Sequence, residues 1–333
     1  MNQSINQSIN HIVIFPPPTG KLGLADYRSA SPCSWCQCNL STIPWNDFNL
    51  ERAAWLATTW VSNTAWKAAH PNRHFLFRLS GVGILTQCAD LMHNKYMGTD
   101  MYTFASIIIY IVRFLLPGDE QTNLIKVWQQ IKTYVRSQGL PEVHANMKMS
   151  MLMGETYPCM KGQASEMRHL GKPLKHVFST MMDPNNDTHA LIYRALSSSV
   201  AIDEILDSHP DAFKLPEAAA DALLLETNNH LAFVNTLKVN FLAMVPPMYM
   251  FHQTIKSHML IHCALQARHL HLRLSWCFAG EDFMRLTKRT MASCLRGTKQ
   301  WNVLRKFLTK YANCIHFRMV RQDDWFESVA HDD

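Results

Sequence analysis

The chain has 333 residues, 47% of them apolar and 17% charged, with a formal net charge of +6. That balance excludes wholesale disorder and allows one large or two ordinary domains around a substantial core. Nine cysteines, an odd number spread along the chain, do not match the dense, even set of a small secreted scaffold.

Residues 1–30 read as an irregular N-terminal arm. "MNQSINQSINHIVIFPPP" lacks the basic start of a secretory signal, repeats NQSI, and carries three prolines that bar helix and central strand. Residues 31–100 begin with the cysteine- and tryptophan-rich "SPCSWCQCNLSTIPWNDF". They continue through a helix bearing Trp55, Trp60 and Trp66, then through "HFLFRLSGVGILTQCAD", which reads as extended segments with a strand at 82–89 ending at Asp90. The run 101–116 is apolar but contains Arg113 and stops at Pro117, short of the roughly 20 residues of a membrane span, so it reads as a buried helix. Further helices are expected at 121–137, 142–153, 188–207, 216–240 and 253–270, with Gly171 and Pro173 among the interruptions. Residues 101–250 thus form a helical block. Residues 251–320 hold C-terminal helices, two of them separated near Gly297, and 321–333 form a tail.

Charge is unevenly distributed. Residues 285–310 carry eight Lys or Arg and no acid, whereas 203–226 carry seven acids against Lys214. The basic stretch is either a solvated helix face or a phosphate-contacting surface through Arg285, Lys288, Arg289, Arg296, Lys299, Arg305 and Lys306.

Two short motifs carry metal chemistry. Cys33, Cys36 and Cys38 give a C-x-x-C that suits zinc, with His70 and His74 as distant partners; packing under Trp35 and Trp45 is the competing reading. His258 and His262 share a helix face at the spacing of zinc proteases, but Met259 stands where the general-base Glu belongs. Helix packing, DNA contact or a place near Glu281 remain open for them.

Taken in order, "CSWCQC", "GVGILTQCADLMHNKYMGTD", "FHQTIKSHMLIH" and "SWCFAGEDF" resemble DDE-type transposases of the CACTA- and KDZ-like eukaryotic kind and related mobile-element reading frames. The resemblance implies a mainly α protein whose small, incomplete RNase H-like α/β core is interrupted by a large helical insertion. It implies that Asp90 and Glu281, or Asp282 in place of Glu281, are carboxylate ligands of Mg or Mn, with His93 accompanying them. Two such ions would clamp the oxygens of a phosphodiester during DNA strand cleavage and transfer. The first acid of the set should end an early strand. Only Asp26 stands upstream, after no strand pattern, so the start reads as truncated and the implied enzyme as an inactive relic. DNA is the expected partner and a nuclear, non-membrane location follows from it. The alternatives are a non-catalytic helical nucleic-acid-binding protein and a helical interaction protein.

Overall fold

A computed structural model describes residues 29–71, 75–295, 297–314 and 316, without the side chains of Ala279, Glu281, Asp282 and Leu286. The expected arm up to residue 28, the tail 321–333, Asp26, His74 and Arg296 lie outside the described residues. The chain divides into two compact units, one ending at Cys277 and the other starting at Phe278. Both are helical. No sheet is present among the described residues, whose only pairings of strand type are isolated bridges at Asn39–Pro44 and Met153–Pro158.

The first unit contains α1 (Asn63–Ala69), α2 (Met92–Leu115), α3 (Glu120–Ser137), α4 (Ala164–Met181), α5 (Asp187–Asp207), α6 (Glu217–Leu242) and α7 (Ile255–Gln266). Helix α2 is long and apolar enough to cross a membrane, yet 72% of its apolar window is buried within the protein, as in a core helix. Phe104, Ile107, Ile108, Ile109, Ile111 and Val112 are all buried there. Its flanks, Met92–Asp100 and Ile111–Leu115, adopt wide i→i+5 turns. The first flank has a visible cause. Lys95 is fully buried and ion-pairs with Asp100, five residues on, at 2.8 Å and with Asp203 of α5 at 3.0 Å. A wide turn stacks residues five apart, which brings ammonium and carboxylate together. Tyr96 adds a hydroxyl donated to Asp203 at 2.7 Å. Burial pushes the carboxyls of Asp100 and Asp203 up, with Lys95 pulling against it.

Side-chain caps set the starts of α3, α5 and α7. Asp119 accepts from the Thr122 amide, Asn186 from Thr188 and His189, and Thr254 from Lys256. Helices α5 and α6 form the most extensive helix pair.

Four sequence expectations are corrected here. The helix expected to bear Trp55, Trp60 and Trp66 is confined to Asn63–Ala69, preceded by a 3₁₀ turn at Leu56–Thr58, so Trp66 alone of the three lies on it. The strand at 82–89 is absent: Ile84–Thr86 is a 3₁₀ turn. Its backbone groups are taken by side chains, the Gly83 amide by Thr86 Oγ1 at 3.0 Å and the Leu85 amide by Asn63 Oδ1 at 2.9 Å, so no ladder is left to build. The expected helix at 142–153 shrinks to Met149–Leu152. Side chains from α3 capture the carbonyls ahead of it, with the Trp128 indole donating to His144 at 2.9 Å and Lys132 to Ala145 at 3.3 Å. Helix α4, conversely, runs through Gly171 and Pro173. A Cβ on Gly171 would lie 3.4 Å from Val200 and 3.5 Å from Phe104, so the glycine marks a close crossing and not a break.

In the second unit α8 (Phe278–Leu295) ends before Gly297, which takes φ +63°, and residues 303–314 are again helical.

Candidate metal centre

The cysteine-rich segment has almost no regular structure, and side chains hold it in place. Asn39 Oδ1 accepts the amides of Ser41 and Thr42 at 2.8 Å each and of Ile43 at 3.0 Å. The Trp35 indole donates to the Gln87 carbonyl at 3.2 Å, the Trp55 indole to Asp47 at 2.8 Å, and the Trp60 amide to Trp35 at 2.9 Å. These bonds seat the loop on α7, where one apolar cluster unites Trp35, Phe48, Trp55 and Trp66 with Met259, Leu260, Ile261 and Ala264.

Helix periodicity then does the rest. His258 and His262, four apart on α7, present both imidazoles to the loop. The sulfur of Cys33 lies 3.4 Å from His262 Nε2, and that of Cys36 lies 3.3 Å from His258 Nε2. The two Nε2 atoms are 3.1 Å apart. All four residues are buried, and their four donor atoms converge within 4.8 Å of one another. This group can hold a metal ion.

The geometry allows a fit test. A tetrahedral zinc with Zn–S near 2.3 Å and Zn–N near 2.05 Å keeps S and N about 3.6 Å apart and its two nitrogens about 3.3 Å apart. The observed separations are within about 0.3 Å of these values. Orientation fits too. His258 Nδ1 donates to the Trp45 carbonyl at 3.1 Å, which fixes the tautomer and leaves Nε2 with its lone pair toward the cluster. The Trp35 amide donates to Cys33 Sγ at 3.3 Å. Trp55 stands edge-on to His258 at 4.5 Å between ring centres, so the cluster is walled off from water.

Electrostatics separate Cys33, Cys36 and His262. Hydrogen bonds from Cys33 and Cys38 hold the Cys36 thiol far below the usual thiol range, outweighing its burial. Burial raises Cys33 well above that range and pushes His262 down, which keeps its imidazole neutral. The Cys36 thiolate and the neutral His262 imidazole are the forms a metal requires, and binding would also have to displace the Cys33 proton.

The sequence expectations for this region divide. Cys33 and Cys36 stand at the cluster as anticipated. Cys38 is buried against them but is not one of the four donors. His70 is elsewhere, stacked on Trp66 at 4.7 Å. The missing half of the site is His258 and His262. Their signal was present in the sequence: a C-x-x-C without a second pair and an H-x-x-x-H without its Glu are complementary halves.

Asp90 is fully buried and does not end a strand. Its Oδ1 accepts the amides of Met92 at 3.0 Å and Cys277 at 3.2 Å, and its Oδ2 pairs with His93 Nδ1. The described groups facing this carboxylate include an imidazole and a thiol, donors that suit Mg or Mn poorly, and the Lys256 ammonium acts on it electrostatically. Glu281 and Asp282 lie on α8 of the second unit.

The basic residues of the second unit have mixed exposure. Arg285, Arg289, Lys299 and Arg305 are exposed, while Lys288 and Lys306 are half-buried. Lys299 sits 5.4 Å from the centre of the exposed Trp301 ring, and Lys306 donates to Thr298 at 2.7 Å. Comparison with family models, curated proteins and solved structures finds no match to this chain.

Proposed function

We propose that the protein is a non-catalytic helical protein organised by a structural zinc ion at Cys33, Cys36, His258 and His262. One observation carries this reading: two sulfurs and two imidazole nitrogens converge within 4.8 Å of one another in a dry part of the core, each sulfur 3.3–3.4 Å from one nitrogen and the nitrogens 3.1 Å apart. Four protein donors complete a tetrahedron and leave no position for water or substrate, which is the mark of a structural and not a catalytic zinc. The ion would bind the loop around residues 33–60 to α7 and so close the first unit.

Zinc content tests this directly. Cys36→Ser and His262→Ala should each carry one equivalent less zinc than the wild-type chain. The difference in zinc-edge X-ray absorption between wild type and these variants should indicate two sulfur and two nitrogen neighbours. Unchanged zinc content in both variants would overturn the proposal.

A second reading concerns the partner. Exposed Arg285, Arg289, Lys299 and Arg305, with Trp301 offering a ring face beside Lys299, favour a nucleic-acid backbone. On this reading the chain descends from a DDE-type transposase, keeps its hold on DNA in the nucleus and has lost strand transfer. An RNase H-like core would need a sheet that the described residues do not supply. Replacing Arg285, Lys288 and Arg289 with Ala should lower the log–log salt slope of DNA binding by roughly one unit for each phosphate no longer neutralised. Mn²⁺-dependent cleavage abolished by Asp90→Ala would refute the non-catalytic assignment.

A further inference from the structure

We propose that the exposed segment Pro246–Tyr249, between α6 and α7, is a docking peptide for a small domain of the WW type, one that takes Pro-Pro-x-Tyr into an aromatic-lined groove.

Residues 243–247, Ala-Met-Val-Pro-Pro, are five consecutive exposed residues without a polar side chain, and Val245 is 97% exposed. Such a run favours aggregation unless a partner covers it. The protrusion has a fixed base. The amides of Met244 and Met248 both donate to the Phe241 carbonyl, at 3.3 and 3.0 Å, so the chain leaves and returns to one point at the end of α6. Just beyond, the Phe251 amide donates to Ser106 Oγ of α2 at 2.9 Å, and the buried rings of Phe241 and Phe251 stand 5.4 Å apart. The segment is therefore presented from the first unit by anchors on both sides.

The chemistry of the tip selects the partner. Proline has no amide hydrogen, so Pro246 and Pro247 leave no donor to satisfy, and each ring restricts the residue before it to extended backbone. Val245 and Pro246 are thus already biased toward polyproline II, which lowers the ordering cost of laying the segment in a groove. That helix has three residues per turn and rises about 3.1 Å per residue, so Pro246 and Tyr249 fall on one edge, about 9 Å apart. Tyr249 is 52% exposed, with its ring edge-on to Tyr157 at 5.7 Å between centres. Paired aromatic rings on the partner take the flat proline ring in one slot and the tyrosine ring in the next. Charge and spacing separate this groove from the SH3 kind, which reads P-x-x-P beside a basic residue. Residues 239–255 contain no Lys, Arg, Asp or Glu, and no proline stands three residues after Pro246 or Pro247.

The test is calorimetric titration of the full chain with a WW domain known to take Pro-Pro-x-Tyr peptides, beside an SH3 domain. A synthetic peptide of residues 242–253 serves as the reference ligand. The full chain should bind the WW domain, and the peptide should compete with it. Pro246→Ala and Tyr249→Ala should each weaken binding by about tenfold or more, as the loss of an anchor does, in the full chain and in the peptide alike. Met248→Ala, at the unread position, should leave the affinity unchanged. Circular dichroism and thermal unfolding of each variant separate lost contact from lost fold, and the substituted peptides give the same comparison without any fold to lose. The proposal is overturned if the peptide binds and the full chain does not, if neither binds, or if binding survives the Pro246→Ala/Tyr249→Ala double substitution. Binding to the SH3 domain in place of the WW domain overturns it as well.

Discussion

Chelating the ion on α7 should destabilise the first unit by an amount its topology sets. The donors Cys36 and His258 are 222 residues apart. Treating the ion as a cross-link, the chain-entropy relation for a loop of that length gives about 5 kcal/mol at 25 °C. Total domain stability is only about 5–15 kcal/mol, so this is a large share of it. For the 277-residue unit, an unfolding entropy of about 2.1 cal/mol/K per residue converts that loss to a fall of roughly 9 °C in Tm. The measurement is thermal unfolding of reduced protein before and after treatment with a strong zinc chelator, followed by zinc add-back. Tryptophan fluorescence is the natural probe, because Trp55 packs on His258 and Trp35 lies 6.0 Å from His262. A Tm that stays within a degree or two after complete metal removal would refute the reasoning, since an entropic staple cannot be removed without cost.

The remaining predictions concern the helical core. Lys95→Ala should cost about 3–5 kcal/mol in urea unfolding, because it strands Asp100 and Asp203 without their cation; a loss below 1 kcal/mol would mean that the pair is solvated. Gly171→Ala should be neutral or stabilising by up to about 1 kcal/mol, since the added methyl meets Val200 at ordinary van der Waals distance, whereas Gly171→Leu should destabilise. Burial holds His230 down at about 4, its Nδ1 donating to the Ala195 carbonyl at 2.9 Å. Its neutral form is favoured by folding, so its contribution is intact above pH 6.5 and is lost as pH falls toward 4, by at most about 3 kcal/mol. The raised carboxyls of Asp100 and Asp203 act with the opposite sign. The quantity to read is therefore the difference in acid slope between wild type and His230→Asn, and identical slopes would contradict the assignment.

How much of this was legible in the sequence depends on whether the signal was local. Helices α3, α5 and α7 announce themselves through caps and apolar spacing, α6 through apolar spacing after Pro216, and 3.6-residue periodicity placed His258 beside His262. The segment 82–89 misled because its short apolar run with Val82, Ile84 and Thr86 fits a strand, and the bonds that Asn63 and Thr86 make to it are not written in that pattern. Gly171 and Pro173 look like punctuation until Val200 and Phe104 are seen packed on the glycine. The metal group was half visible. Each motif was recognisable as incomplete, but the loop that joins them follows tryptophan and asparagine hydrogen bonds that carry no sequence period. Asp90 was singled out for partnership with His93 and with a carboxylate of α8: His93 does stand beside it, Cys277 is the neighbour that the sequence did not announce, and the side chains of Glu281 and Asp282 lie outside the described residues.

The order of the donors along the chain gives the α7 site a history during synthesis. Cys36 leaves the ribosome 222 residues ahead of His258, and Cys33 shortly before it. At about 5–20 residues per second, that is an interval of roughly 10–45 s. Throughout it the nascent chain displays a thiol pair with half a coordination sphere, open to oxidation or to transient capture of metal. The four-donor group stays incomplete until α7 has emerged. Whatever the proximal half binds meanwhile must be surrendered or shared when the imidazoles arrive, so the last helix of the unit acts as the signal for the first segment to close.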